Sequence, residues 1–111
     1  MVMGLTTGVW VMAQVRICDR NFIPATIVRH GDDDAGTVLV KINRFEEGVT
    51  VYTPATSLSS EPMWSRGTGP KPVTEAEADA YIERQVKYDP DIWVLEIEDR
   101  KGQYKLDGKV V

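Results

Sequence analysis

The first apolar segment of the chain fits two kinds of element. Apolar residues occupy every second position from Val9 to Ile17, as in a β-strand, and they also recur at helical spacing from Val11 to Phe22. The pattern alone therefore leaves residues 8–21 open between helix and strand. We favour a helix, because Thr6 or Thr7 can cap its start and Asn21 can end it in the left-handed conformation.

The next thirty residues alternate as β-strands do. The runs "ATIVRH" and "TVLVKIN" are joined by "GDDDAG", whose glycines and aspartates favour a turn, so the pattern predicts a hairpin. The turn "RFEEG" then leads to "VTVYTP". In that strand Val49 and Val51 share one face, and Thr50 and Tyr52 share the other. Three consecutive antiparallel strands, a meander, are expected.

The second half predicts a loop, a helix and a final strand. Residues 55–72 are rich in Ser, Gly and Pro, with a short strand expected around Trp64. Thr74 and Glu77 form a capping box, and Pro90 should end the following helix near Tyr88. "DIWVLEIED" is then the last strand. We expect one α+β domain over residues 1–111, with two helices, an antiparallel sheet of four to five strands (the meander plus the C-terminal strand) and the order αβββ(β)αβ.

Composition narrows the functional classes. A formal charge of −4 argues against a protein that mainly neutralises nucleic-acid phosphates. One cysteine, Cys18, and one histidine, His30, give no disulfide and no zinc ligand set, which suits the cytoplasm, and we expect no cofactor. The apolar stretch between Val9 and Val15 is too short to span a bilayer. Small-molecule binding stays undetermined.

Acidic residues near the C terminus suggest one possible chemistry. Asp91, Glu96 and Glu98 carry carboxylates that can share a divalent cation, with His30 or Lys41 nearby, as in a metal-dependent hydrolase. The competing explanation is a strand with one apolar and one charged face. In that case Leu39, Lys41 and Asn43 point outward, and Lys41 forms a cross-strand ion pair with Glu96 or Glu98.

The hypothesis we favour is a non-enzymatic module that binds a protein partner or forms a homo-oligomer. Its support is the lack of a recognisable catalytic set, together with an edge strand and two aromatic residues, Tyr52 and Trp64, that we expect to be exposed. A further alternative is weak anion or RNA binding through Arg16, Arg20 and Arg29, which requires these side chains to converge.

Four segments resemble a known family. "VWVMAQVR", "RHGDDDAGTVLVKIN", a central "MW" and "RQVKYDPDIWVLEIEDRKG" are similar to the uncharacterised bacterial family catalogued as domain of unknown function 1491, over nearly the full chain. Members of that family usually carry a Gly after the first helix, where this chain has Asn21 nearby. The resemblance implies a stand-alone bacterial protein of this length, and it implies no activity, cofactor or site residue.

Overall fold

The computed structural model describes residues 6–55 and 61–111, which form two helices and six strands. The helices are α1 (Thr7–Arg20) and α2 (Glu75–Tyr88). The strands are β1 (Ala25–Arg29), β2 (Val38–Asn43), β3 (Val49–Pro54), β4 (Met63–Arg66), β5 (Trp93–Glu98) and β6 (Lys109–Val110), and a short 3₁₀ turn (Phe45–Glu47) joins β2 to β3. The helix assignment of the first segment is confirmed. Of the predicted 55–72 loop, residues 56–60 lie outside the described residues.

The sheet is mixed, in the order β1-β5-β2-β3-β4-β6. The hairpin expected between β1 and β2 is wrong, because β5 lies between them, antiparallel to β1 and parallel to β2. Only β2, β3 and β4 form the meander. The purely antiparallel sheet is therefore wrong as well, while the α+β class with two helices is confirmed.

The central strands are buried on both faces, which explains their position. Every residue of β2 except Ile42 is buried, and β5 has four buried apolar residues of six, so both strands need cover above and below. α1 covers one face with Trp10, Val11 and Cys18, and α2 covers the other with Ala78. We call these the α1 face and the α2 face.

The segment between β1 and β2 packs over the start of β5 instead of turning tightly. The backbone N–H of Asp32 donates to the Asp91 carbonyl at 3.0 Å, and the Trp93 indole donates to the Asp32 carbonyl at 2.7 Å. A Cβ at Gly31 or Gly36 would lie 2.2 or 2.5 Å from the Asp91 carbonyl oxygen. The glycines are thus required by close approach of two backbones, which is a different reason from a hairpin turn.

α1 ends in a Schellman motif with an unusual residue at its left-handed position. The N–H of Ile23 donates to the Cys18 carbonyl and that of Phe22 donates to the Asp19 carbonyl, at 2.9 and 3.2 Å. Phe22 has φ 57°, whereas Asn21 has φ −101°. The prediction that Asn21 takes the left-handed conformation is wrong, and Phe22, where glycine is common, takes it instead.

α2 begins as the sequence indicates. The Thr74 hydroxyl accepts from the Glu77 N–H at 3.2 Å, and the helix ends at Tyr88. It lies over β2 and β3 and buries the side chains that were expected to point outward from β2. Leu39, Lys41 and Asn43 are 1%, 4% and 7% exposed. That expectation is wrong because α2 covers the face they occupy.

Candidate functional site

An open groove runs between α1 and the edge strand β1 on the α1 face. Its volume is about 690 Å³, and its lining is mostly apolar. One wall is the side of α1 that faces away from the core, from Thr6 to Arg20, and the floor contains Ile27 and Trp93. Because β1 is an outer strand of the sheet, the groove opens toward the position that a further strand would occupy.

The α1 wall carries apolar side chains that the described residues leave exposed. Val9, Met12 and Ile17 are 55%, 47% and 46% exposed, and all three line the groove. Val28, at an irregularity of the β1 pairing, is also exposed but is not part of the groove lining. Apolar patches of this kind, rimmed by polar residues, are typical of interaction surfaces.

The end of the groove beside the start of α1 is acidic and aromatic. His30 stacks on Trp93 with ring centroids 3.9 Å apart, and its Nε2 lies 3.0 Å from Asp33 Oδ1. The Gly8 N–H donates to the Asp33 carbonyl at 3.0 Å, which fixes this turn against the helix. His30 and Asp33 are both largely exposed, and their contact orients the imidazole ring at the groove mouth.

The opposite end of the groove is basic. Arg16 and Arg20 line it, both are exposed, and within residues 6–55 and 61–111 neither has a hydrogen bond or ion pair. Arg29 does not join them, since its guanidinium donates to the carbonyls of Pro90 and Ile92 at 2.8 and 3.0 Å. The three arginines therefore do not converge as the anion-binding alternative requires.

One acidic residue of β5, Glu96, pairs with a buried lysine. Lys41 Nζ lies 2.8 Å from Asp79, 2.9 Å from Glu75 and 3.4 Å from Glu96, so the predicted ion pair with Glu96 or Glu98 is confirmed, with Glu96 as the partner. Burial by itself lowers the pKa of Lys41, but the hydrogen bonds to Asp79 and Glu75 and the charge of Glu96 raise it above its ordinary value. The lysine is therefore a permanent cation that ties α2 to the sheet.

The three proposed metal ligands, Asp91, Glu96 and Glu98, do not form a cluster. Glu98 and Asp91 are exposed, and in the part of the chain that the structure describes no three His, Cys, Asp or Glu side chains lie close enough to hold a metal ion. The ion pair with Lys41 accounts for Glu96 without a metal. The metal-dependent hydrolase stays a prediction that this geometry does not support.

The two aromatic candidates are less exposed than expected. Trp64 is 1% exposed, it stacks near Trp10 with centroids 5.5 Å apart, and its indole donates to the Asp107 carbonyl at 2.6 Å. The expectation that Trp64 lies on the surface is wrong, because the C-terminal segment covers it. Tyr52 is partly buried against the α1-face core.

Cys18 is fully buried in that same core. Burial, with a smaller contribution from the charge of Asp99, raises the pKa of its thiol to about 11. It is a core residue, and its thiol stays protonated near neutral pH.

Two helices on opposite faces of a six-stranded mixed sheet, with a groove at the sheet edge, define a small α+β domain with a candidate binding surface. The chain belongs to the family described as "Protein of unknown function (DUF1491)", whose model matches residues 5–107. This confirms the resemblance. A search of curated proteins found no match. No helix of the described residues has the length and apolar character needed to cross a bilayer.

Solved structures of similar proteins share the fold. A crystal structure of a DUF1491 family protein from Caulobacter crescentus CB15 is 39% identical with a TM-score of 0.83, over 100% of this chain and 99% of that one. An NMR structure of a DUF1491 family protein from the same organism is 39% identical with a TM-score of 0.82, over 100% of this chain and 98% of that one. The solution structure of protein Atu0922 from A. tumefaciens is 25% identical with a TM-score of 0.74, over 86% of each chain.

Sequence reasoning named Arg16 and Arg20 but missed the apolar residues of the groove. Val9, Met12, Ile17 and Trp93 received no functional role. A signal was present, because the first segment satisfied both the strand and the helix pattern. A helix scores on both patterns when it carries apolar residues on more than one side. The surplus on α1 is the part that the sheet does not cover.

Proposed function

We propose that this protein is a non-enzymatic interaction module that takes an extended polypeptide strand at the free edge of β1, beneath the exposed side of α1. The observation that carries the proposal is the apolar groove beside an outer strand. A strand added to β1 continues the sheet through backbone hydrogen bonds, and alternate side chains of that strand fill the groove. Val9, Met12 and Ile17 then lose their contact with water.

The hydrogen-bond pattern of β1 supports this mode of binding. The Glu98 N–H donates to the Pro24 carbonyl at 2.9 Å, and Ala25 and Ile27 pair with Ile97 and Leu95. Because bonds to one neighbour alternate along an antiparallel strand, the backbone groups of Ala25 and Ile27 point away from β5. Their N–H and C=O groups face the side where β1 has no neighbour among the described residues.

The chemistry of the groove sets the kind of strand that fits. It should present apolar side chains toward α1 and an acidic side chain toward Arg16 and Arg20. The buried free thiol of Cys18 supports a reducing compartment, and we therefore place the module in the cytoplasm.

The test is a titration of the protein, labelled with ¹⁵N and with ¹³C at its methionine methyls, with short synthetic peptides that alternate valine and threonine. The peptides carry glutamate at the N terminus, at the C terminus or at neither. We expect the Ala25 and Ile27 amides and the Met12 methyl to shift. Ala25→Pro removes an outward N–H without removing a bond to β5 and should abolish the shifts, whereas Ala25→Ser keeps the N–H and the shifts. If no peptide moves these signals at millimolar concentration in a protein that sedimentation shows to be monomeric, the proposal is wrong.

A further inference from the structure

The charges along the groove have opposite signs at its two ends. Arg16 and Arg20 lie at the end where α1 leads into β1, and Asp33 lies at the end where β1 leads into the acidic turn. Asp32 and Asp34 flank Asp33 in that turn, and both are exposed. Consider a partner segment that is also basic at one end and acidic at the other, and that lies antiparallel in the groove. Its acidic end would then lie beside Arg16 and Arg20, and its basic end would lie beside Asp33.

This chain itself presents such a surface. The free edge of β1 offers an N–H and a C=O at both Ala25 and Ile27, and an antiparallel copy of the same edge offers the matching acceptors and donors. A twofold axis beside β1 reverses the direction of the partner, which brings the basic end of one groove to the acidic end of the other. The side of α1 with Val9 and Met12 then faces the same side of the partner helix.

We propose that the strand that binds at the free edge of β1 is β1 of a second copy of the chain, an inference that rests on the proposed function. The two copies form a twofold dimer in which two sheets join at β1. The two α1 helices pack side by side over the join, and Arg16 and Arg20 of each copy face the acidic turn of the other.

The irregularity at Val28 determines which contacts dominate. It interrupts the regular pairing between Ile27 and Arg29, so the shared ladder is short and is confined to the first part of β1. Short or bulged edges limit unrestricted strand association. The specificity of the dimer therefore depends on the helix side chains and on the charges at the two ends of the groove.

A charge-exchange experiment tests the proposal. Sedimentation velocity over a concentration series measures dimerisation of the wild type, Arg20→Glu and Asp33→Arg. Each variant alone places two repulsive contacts in its dimer and should raise the dimer Kd by about tenfold or more. An equimolar mixture should restore dimers, because one contact of the mixed pair is native and the other is its reversed equivalent. Arg84→Glu, on α2, is the matched control and should dimerise like the wild type.

A second pair of variants tests the apolar contact. Val9→Glu places a charge in the groove, whereas Val111→Glu changes a valine of similar exposure, 60% against 55%, at the C terminus. We expect only Val9→Glu to abolish the dimer, with both variants folded by circular dichroism. Dimers that survive Val9→Glu, or variants that do not recover when mixed, would overturn the twofold arrangement.

The outcomes separate this inference from the function on which it rests. If the Ala25 and Ile27 amides shift with protein concentration alone, the second copy is the occupant. If they shift only with added peptide and the protein stays monomeric, the dimer is wrong and the interaction module stands. If they respond to neither and the protein sediments as a monomer, both proposals are wrong.

Discussion

The two helices have the same length, fourteen residues, and cover opposite faces of one sheet, but they differ in what they leave outside. α2 buries only Ala78 completely, turns charged residues to water and is held to β2 through Lys41. α1 buries five residues and still exposes Val9, Met12 and Ile17. A helix whose only role is to cover a core needs one apolar stripe. The second stripe of α1 indicates a further contact.

The cores beneath the two helices provide the largest expected effects. Leu95→Ala on the α1 face and Leu39→Ala on the α2 face remove equal volumes from sites that are 0% and 1% exposed. We expect each to lower the free energy of unfolding by about 3 kcal/mol, measured by urea denaturation. Leu95→Ala should lower the free energy of unfolding more than Leu39→Ala, because the buried cluster around Leu95 contains more residues than the one around Leu39. An equal or reversed cost would contradict this ranking of the faces.

Lys41 tests how α2 is attached. Lys41→Met leaves Glu96, 20% exposed, without its cation, while Glu75 and Asp79 can turn to water. We expect a loss of about 2 kcal/mol in the same denaturation assay. Lys41→Met combined with Glu96→Gln should recover part of the loss, and the exposed Lys101→Met should change stability by less than about 0.5 kcal/mol. If Lys41→Met leaves the free energy of unfolding unchanged, packing alone attaches α2 to the sheet.

Cys18 makes the α1 face sensitive to alkaline pH. Its folded pKa is about 11 against an ordinary value of 9.0, so the unfolded chain releases the proton first. Stability from this group is complete below pH 9 and is lost as the pH rises toward 11. The expected loss at pH 10 is on the order of 1 kcal/mol. Cys18→Ala should remove this component from the pH dependence of unfolding, and an unchanged profile between pH 9 and 11 would contradict the assignment.

The starts of the helices differ in their caps. Thr74 accepts a hydrogen bond from the Glu77 N–H, whereas Thr6 makes no side-chain cap bond. Thr74→Ala should therefore cost about 1 kcal/mol, and Thr6→Ala should have an effect near zero. Thermal unfolding of the two variants gives the comparison, and similar shifts in Tm would mean that the cap bond is not the cause.

Phe22 gives the smallest expected change, with the opposite sign. It holds φ 57° at the end of α1 while 95% exposed, so Phe22→Gly should stabilise the chain by up to about 1 kcal/mol. Phe45 has φ 58°, but the Arg100 guanidinium lies 4.1 Å from the centre of its ring. Because Phe45→Gly loses this contact, it should stabilise the chain less than Phe22→Gly. Destabilisation by Phe22→Gly would show that this side chain has a packing role.

The two sides of the comparison were not equally predictable from sequence. α2 was predicted with its cap and its end, because Thr74 and Pro90 act on neighbouring backbone groups. β3 and β4 were predicted for the same reason, since alternation and turns are local. The hairpin between β1 and β2 failed because β5, far along the chain, binds between them. The near-continuous apolar run of β2 was the available sign that both of its faces are buried.

The sequence by itself determined the family and most local elements, because caps, turns and alternation act between neighbouring residues, and it offered Glu96 or Glu98 as the partner of Lys41. The parallel pairing of β2 with β5 selected Glu96. Only the tertiary structure decided that β5 inserts beside β2, that Trp64 is covered and that α1 overhangs the edge of the sheet. Those outcomes depend on which distant surfaces bury each other. The groove exists because the sheet ends at β1 before the apolar surface of α1 does.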